Sequence, residues 1–382
     1  MGTWLLVTGD VGRRGAMDRA HLALAEYLSR RGDEVHVVAH SASEELQSLA
    51  GTRVHVAPKP AGSVALGSPV LDAVGRYWAR RLSARGARVV VNGGNCLWGD
   101  VNWVHYVHAA YTPDFEARGW RPLARRLVHE GYLRAERAAF ARARLLIANS
   151  HRTAEDLRRL GVPAGRIRVV YCGIEGERFR PPSASERETV RAEQGWRPEQ
   201  PVVAFVGALG DRRKGFDTVY KAWGELHRRA HWDGVLVVMG SGAELPAWRE
   251  RARAAGLSSI QFLGFRTDVA RLLAGCDALV APTRYESYGL GVVEALCTGL
   301  PAFVSRGAGV AERYPPSLST LLLEDPEDAP ALAEALAGWA SRRESVRAEL
   351  PSVSELLRRE DWRYMAERFV SCVESAPLGG VT

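Results

Sequence analysis

The sequence predicts a two-domain α/β protein in which each domain is a doubly wound parallel sheet. Three observations carry this reading. The chain has 382 residues, and two domains of roughly 150–200 residues each are the default for that length. Apolar strand-like runs alternate with helical patterns through the first half. After a Pro-, Ser- and charge-rich connection, the same alternation begins again.

In the first half, "TWLLVTG" is a continuous apolar run closed by glycine, as a strand buried on both faces should be. "AHLALAEYLSRRG" follows with Leu22, Ala25 and Leu28 at helical spacing and a stop at Gly32. Strands are then expected at "EVHVVAH", "ARVVVNGG", "VNWVHYVHAAY" and "RLLIANS", with an Arg-studded helix "LARRLVHEGYLRAERAAFARA" before the last. "RPPSASERETVRAEQGWRPEQP" reads as connection plus surface helix. Strands "VVAFVGA", "GVLVVMGSG", "IQFLGF", "ALVAPT" and "PAFVS" make the second unit. The domains are set at 1–175 and 176–359, with the tail helix around 360–376 assigned to the first. Its apolar face is Trp362, Met365, Phe369, Val370 and Val373. In such folds ligands bind at the loops after the strands.

Composition narrows the function classes. Hydrophobic residues are 46% and charged residues 25%, the balance of a globular domain. No apolar run approaches the ~18–20 residues a bilayer span needs. "MGTWLLVTGDVG" reads as a buried strand rather than a signal peptide, and the sixth residue is not the Ser or Thr of a myristoylation signal. The five cysteines lack any Cys-x-x-Cys pair, so reduced, mostly buried thiols in a cytoplasmic protein are expected. Net charge is +7 and uneven: residues 1–180 carry 27 Lys and Arg against 17 Asp and Glu, and residues 181–382 carry 24 against 27. A basic first half suits an anionic partner, such as a phosphorylated acceptor or an acidic lipid surface; a merely Arg-rich solvated surface is the plainer reading. The helix "WRPLARRLVHEGYLRAERAAFARARLL" has the same two readings, a membrane-surface contact or a solvated face whose apolar stripe packs on the sheet.

Two loops of the second half hold the candidate chemistry. In "FVGALGDRRKGFDTVYKAW" a strand ends at Gly207, and Arg212, Arg213 and Lys214 precede a helix at about Phe216. Cations and unpaired backbone N–H groups at a helix mouth can cradle a diphosphate. The Walker spacing is absent. "VVMGSGAE" places Gly240 after another strand, suited to close backbone approach. In "APTRYESYGLGVVEALCTGLPAFVS" the strand exit "RYESYGLG" leads into a helix, which Gly291 is expected to open with Glu294 in its first turn. Glu286 lies before it, eight positions earlier. Backbone N–H groups of Tyr288, Gly289 and Leu290 then sit at the positive helix end, with carboxylates able to accept sugar hydroxyls. A chain this long holds roughly two Glu pairs at that spacing by chance, so the loop context carries the weight.

These residues carry a family resemblance. "RYESYGLGVVEALCTGLPAFVSRGAGVAERY" resembles the signature of family 4 retaining glycosyltransferases of the GT-B fold, with Glu286 and Glu294 filling its E-x7-E motif. "VVAFVGALGDRRKGFDTVYKAW" resembles that family's diphosphate-binding strand–loop–helix, and Lys214-Gly215 its Lys-Gly. "LLIANSHRTAEDLRRLGVPAGRIRVVYCGIEGERFRP" is similar to the segment closing the N-terminal domain, and "FLGFRTDVARLLAGCDALVAPT" to the segment around the nucleobase, near Phe265 and Arg266. The likeness covers most of residues 145–315 and is only an outline before them. Two departures stand out. Ala208 occupies the place of the family's Arg after the strand glycine, so Arg213 or Arg212 would replace it. Cys172 occupies the place of a common Asn.

The resemblance implies two Rossmann-like domains facing across a cleft, the first binding acceptor and the second nucleotide-sugar donor. Lys214 would hold the diphosphate, Glu294 the ribose, and Glu286 the transferred sugar, with Tyr288, Gly289 and Leu290 lining sugar and phosphates. On the acceptor side, Gly12 and Gly15 match the family's glycine loop in outline. His108 best matches its histidine beside the transferred sugar, and His105 second; as plain sequence, each is equally a hydrogen-bonded core or rim histidine. The implied reaction is retaining hexosyl transfer from a UDP- or GDP-linked donor to a hydroxyl acceptor, saccharide or lipid-linked. No cofactor is expected, and no metal, because no Asp-x-Asp motif is present and the basic loop can neutralise the diphosphate. A GT-B phosphorylase or epimerase, or a non-catalytic sugar-nucleotide sensor, would share the architecture. No nucleic-acid motif supports that partner class. A cytoplasmic protein, with peripheral attachment to the inner membrane face as a variant, completes the expectation.

Overall fold

The alternation of apolar runs resolves into two parallel sheets in a computed structural model. It describes residues 2–13, 15–112, 120–229 and 231–376, with side chains of the helix Trp120–Arg142 described from Arg126 onward. The chain divides into two compact units: Met1–Gly173 with Trp362–Thr382, and Ile174–Asp361.

The first unit holds a seven-stranded sheet. From edge to edge the strands are Thr52–Val56, Glu34–Ala39, Thr3–Val7, Arg88–Asn92, Val101–Val104, Leu145–Ala148 and Ile167–Val169, all paired in parallel. Thr3–Val7 is central, and its period-2 alternation feeds two cores. Trp4 and Leu6 pack with Leu24 and Leu28 of the helix Ala16–Arg30, and with Met365, Phe369, Val370 and Val373 of the tail helix Trp362–Ser375. Leu5 and Val7 pack with Leu71, Ala79 and Leu82 of the helix Val64–Ser83. The tail helix therefore completes the first unit, because its apolar face covers Trp4 and Trp103.

Two edge strands, Thr52–Val56 and Ile167–Val169, were not expected from the sequence. Each interleaves polar residues such as Arg53, His55 and Arg168 with apolar ones, so neither shows the continuous apolar run that marks the central strands.

The second unit holds a six-stranded parallel sheet in the order Ile260–Gly264, Val235–Met239, Val202–Val206, Ala278–Ala281, Ala302–Ser305, Leu322–Leu323. Winding outward both ways from Val202–Val206 creates a switch point between that strand and Ala278–Ala281, where neighbouring connections leave to opposite faces. The helices Phe216–His227 and Ala329–Ala340 pack together, as do Leu290–Cys297 and Leu350–Arg359. At the amino end of the sheet, Arg191 is buried against Asp277 at 3.2 Å and against backbone carbonyls of Gly275, Arg197 and Gln200. Asp277 in turn accepts from the Val202 N–H at 2.9 Å. That network is scaffold, at the far end of the strands from the switch point.

Candidate active site

The exits of Val202–Val206 and Ala278–Ala281 build one cluster at the switch point. Gly207 donates its N–H to the Met239 carbonyl at 3.1 Å, and Leu209 to the Ser241 carbonyl at 2.9 Å. Backbone lies directly on backbone here: a Cβ on Gly240 would stand 1.8 Å from the Gly207 carbonyl oxygen. The chain then makes a single turn, Arg212–Lys214, capped by Asp211, whose side chain accepts from the Arg213 N–H at 3.0 Å. Gly215 ends that turn at φ +72° and caps the helix Phe216–His227. A Cβ there would fall 1.9 Å from the Pro282 carbonyl oxygen. Only glycine lets the lysine-bearing turn lie against the next strand's exit.

This seating brings Lys214 to Glu286. Lys214 Nζ lies 2.6 Å from Glu286 Oε2, with side chains 25% and 14% exposed, so the pair is shielded yet still reachable. The stem of Lys214 runs beside Gly207, where a Cβ would meet Lys214 Cγ at 3.6 Å. Arg284 locks the two loops together. Its N–H donates to the Arg213 carbonyl at 2.8 Å, and its guanidinium grips both oxygens of Asp217 at 2.8 Å each. Burial pushes the Asp217 carboxyl up, but these hydrogen bonds and the charges of Arg284 and Arg212 bring it below its ordinary value. Hydrogen bonding to Asp217 holds the Arg284 guanidinium above its usual range. Neither residue stood out in the sequence, because 67 residues separate them.

Of the remaining loop cations, Arg213 is 19% exposed and held by Asp211 at 3.1 Å, whereas Arg212 is 51% exposed and 3.8 Å from Asp217. Beyond Glu286, Gly289 takes φ +103° and caps the helix Leu290–Cys297. The helix thus opens at Leu290, not Gly291, and Glu294 is its fifth residue rather than a first-turn one. Glycine at position 289 starts the turn one residue early because its left-handed φ turns the chain there. Glu294 is 7% exposed and Tyr288 3%. The Glu286 carbonyl accepts from Gly309 N–H at 2.9 Å, which braces the loop. Helix geometry leaves the N–H groups of Leu290 and Gly291 without intrahelical acceptors. Next to Gly240, whose N–H donates to the Gly264 carbonyl at 2.8 Å, the loop turns outward. Phe265 there is 73% exposed, and Arg266 pairs with Asp268 at 2.6 Å.

The first unit carries the other candidates. Gly12 and Gly15 lie between Val11 and the helix Ala16–Arg30, with Gly15 at an ordinary extended φ of −119°. Asp18 accepts a backbone hydrogen bond from Gly15; burial, and then the nearby Asp10, push its carboxyl up. His105 directly follows the strand Val101–Val104 and is buried in a cluster with Trp103 and His21, ring centroids 4.6 and 5.5 Å away. Burial, then His21, pushes its imidazole well below the usual range. His108 lies three residues on, 40% exposed, with Nδ1 at 3.0 Å from Glu136. Cys96, Cys172, Cys276 and Cys297 are buried and uncrosslinked. Burial pushes the Cys172 thiol up to about 12, which leaves it inert. Among the described residues, no group of three or more His, Cys, Asp or Glu side chains is placed to hold a metal ion.

Comparison with known proteins places this geometry. The description "Glycosyl transferases group 1" matches residues 200–341, and "Glycosyltransferase Family 4" matches residues 18–178. A D-inositol 3-phosphate glycosyltransferase of Mycobacterium marinum is 30% identical over 335 residues, covering 79% of this chain and 68% of that protein. The chain belongs to the family 4 glycosyltransferases. The same-named protein of Nocardia farcinica is 31% identical over 225 residues, which are 56% of this chain and 48% of its own length. The chain thus spans about half of that relative. Among solved structures, WaaG, a glycosyltransferase involved in lipopolysaccharide biosynthesis, superposes with a TM-score of 0.77 at 20% identity, covering 98% of this chain and all of that one. HepE of Anabaena, solved with UDP and glucose, superposes with a TM-score of 0.69 at 18% identity over 97% of this chain and 99% of its own. These likenesses establish the GT-B fold for this family 4 member. Its motif residues Lys214, Glu286 and Glu294 sit in the unit that the group 1 description matches.

Proposed function

We propose that this family 4 glycosyltransferase transfers a hexose from a nucleoside-diphosphate sugar to a hydroxyl acceptor, with retention and without a metal. The carrying observation is the Lys214–Glu286 pair, 2.6 Å apart at the switch point. Such a reaction must stabilise a departing diphosphate and an oxocarbenium-like sugar together. Lys214 neutralises the diphosphate, helped by Arg212 and Arg213 on the same turn and by the N–H groups opening the helix Leu290–Cys297. Glu286 accepts hydroxyls of the transferred sugar, with Glu294 serving the ribose. With a diphosphate bound, Lys214 divides its three donors between phosphate and Glu286. Phe265, exposed beyond Gly264, offers an apolar plate for the base beside Arg266. His108 meets a substrate hydroxyl, as the family resemblance implies; Gly12 and Gly15 belong to the acceptor side. No dedicated carboxylate nucleophile is then needed, because the leaving phosphate takes the acceptor proton on the same face, in contrast with retaining glycosidases.

HepE's complexes with UDP and glucose support a uridine-linked hexose as the first donor to try. The D-inositol 3-phosphate glycosyltransferases support a phosphorylated acceptor, which the basic first half also suits. No helix among the described residues is long and apolar enough to cross a membrane. The test is a panel of UDP- and GDP-sugars with phosphorylated and neutral polyols, with and without excess chelator. Transfer with retained anomeric configuration in chelator is expected. Donor binding without turnover would make the protein a sensor, and activity restored only by a divalent ion would overturn the metal-free reading.

A further inference from the structure

His108 is held by a residue no motif points to. Glu136, 1% exposed on the helix Trp120–Arg142, accepts the His108 backbone N–H with both carboxylate oxygens, at 3.1 and 2.9 Å. The same carboxylate lies 3.0 Å from His108 Nδ1. Both Glu136 oxygens already accept the His108 N–H, so the carboxylate meets Nδ1 as an acceptor and Nδ1 is assigned as the donor. In the neutral ring, the proton is therefore on Nδ1 and Nε2 carries the lone pair.

The fold delivers Glu136 to this place by a short chain of contacts. Asn102, fully buried on the strand Val101–Val104, takes the Gly93 N–H at 2.9 Å and donates to the Gly93 carbonyl at 2.8 Å. That fixes the loop after Arg88–Asn92. The next residue, Gly94, has no side chain where the long helix passes: a Cβ there would lie 3.0 Å from the Glu136 amide nitrogen. A Cβ at that position would press the helix back by a few tenths of an ångström, so the glycine lets it pass close, and the approach buries the carboxylate under His108. Tyr106, His129 and Tyr132 surround the imidazole, with ring centroids 4.8, 6.5 and 5.4 Å away. A buried carboxylate is costly unless hydrogen-bonded, and here two donors of one residue, the backbone N–H and Nδ1 of His108, make three contacts to it.

We propose that Glu136 is a positioning residue that locks His108 in its Nδ1–H form, so that Nε2 accepts a hydrogen bond from a substrate hydroxyl. The hydroxyl belongs to the donor sugar or to the acceptor, and the kinetics separate these sources. This rests on the transferase reading for the identity of the substrate, but the state of the ring can be read without any substrate.

The experiment has two arms. Nitrogen-15 NMR of the histidines, assigned with His108→Ala, is expected to show His108 as the Nδ1–H tautomer in the intact protein, with Nε2–H gaining population in Glu136→Gln. In turnover, Glu136→Gln should lower kcat/KM by about tenfold or more, the size of one charge-assisted hydrogen bond, while Glu136→Asp recovers part of it. In the His108→Ala background, Glu136→Gln should cost nothing further, because its action passes through the ring. A rise in donor KM assigns the hydroxyl to the sugar, and a rise in acceptor KM assigns it to the acceptor. An Nε2–H tautomer in the intact protein, or a full additive loss in the double variant, would overturn the proposal. A wild-type protein with the expected tautomer but no transfer would instead defeat the transferase reading alone.

Discussion

At the scale of single residues, the second unit's cluster depends on matched charge in a half-shielded place. Lys214 and Glu286 compensate each other before any ligand arrives, so neither is left as an isolated buried charge. On the proposed reading, Lys214 shares its donors between a diphosphate and Glu286, which keeps acceptor capacity for sugar hydroxyls. Lys214→Ala removes the partner of Glu286 and, on the proposed reading, a contact to the leaving group. Donor KM is expected to rise and kcat to fall together, with kcat/KM down by roughly a hundredfold, the cost of one donor to a developing oxyanion. Steady-state kinetics against donor concentration check this. Unchanged turnover would place the diphosphate elsewhere. Arg212 and Arg213 are already engaged by Asp217 and Asp211, so they shape the turn as well as charging it.

At the scale of elements, close approach between strand exits decides the geometry. The turn Arg212–Lys214 reaches the next strand's exit because Gly215 combines a left-handed φ with no Cβ. Gly215→Ala meets both costs at once, a positive φ for an L-residue and a clash with the Pro282 carbonyl. The expected loss is about 2–4 kcal/mol of stability in the second unit, with donor affinity lost alongside. A thermal melt and a donor titration on the same variant would show it. A variant that melts like wild type would mean that the loop Pro282–Arg284 yields readily, contrary to its bracing by Arg284. The tail helix is the corresponding case in the first unit: it belongs where its apolar stripe finds Trp4 and Trp103.

At the scale of the whole chain, the two units have separate cores and separate vulnerabilities. Truncation after Asp361 removes Met365, Phe369, Val370 and Val373 from the first core, at about 1.5–3 kcal/mol for each buried side chain. The first unit should become protease-sensitive while fragments of the second, Ile174–Asp361, survive; equal resistance of both would contradict the core assignment. Acid should act on the same unit. Burial holds the His21 imidazole down to about 4, opposed only by its hydrogen bond to Met17. Its folded value lies below the unfolded one of about 6.5, so the unfolded chain binds the proton first. Stability from this group is full above about pH 6.5 and declines as pH falls toward 4, by on the order of 3 kcal/mol. His105, pushed down by burial, adds to the same trend. Urea midpoints between pH 7.5 and 4.5 should fall for the wild type and fall less for His21→Leu; a flat wild-type profile would sink the assignment.

Reading residues in order was enough for the double alternation of strands and helices, because central parallel strands are continuous apolar runs. It was enough also for the motif loops at Lys214 and at Glu286 to Glu294, because glycines, cations and carboxylates there sit close together in the chain. Edge strands such as Thr52–Val56 escaped, since a half-exposed strand need not be apolar. Three-dimensional packing alone decided the clamp of Arg284 on Asp217, the depth of Glu294 and the seat of His108 on Glu136. Each depends on which faces meet across tens or hundreds of residues. Periodicity records that a face is apolar or charged, and folding decides what that face touches.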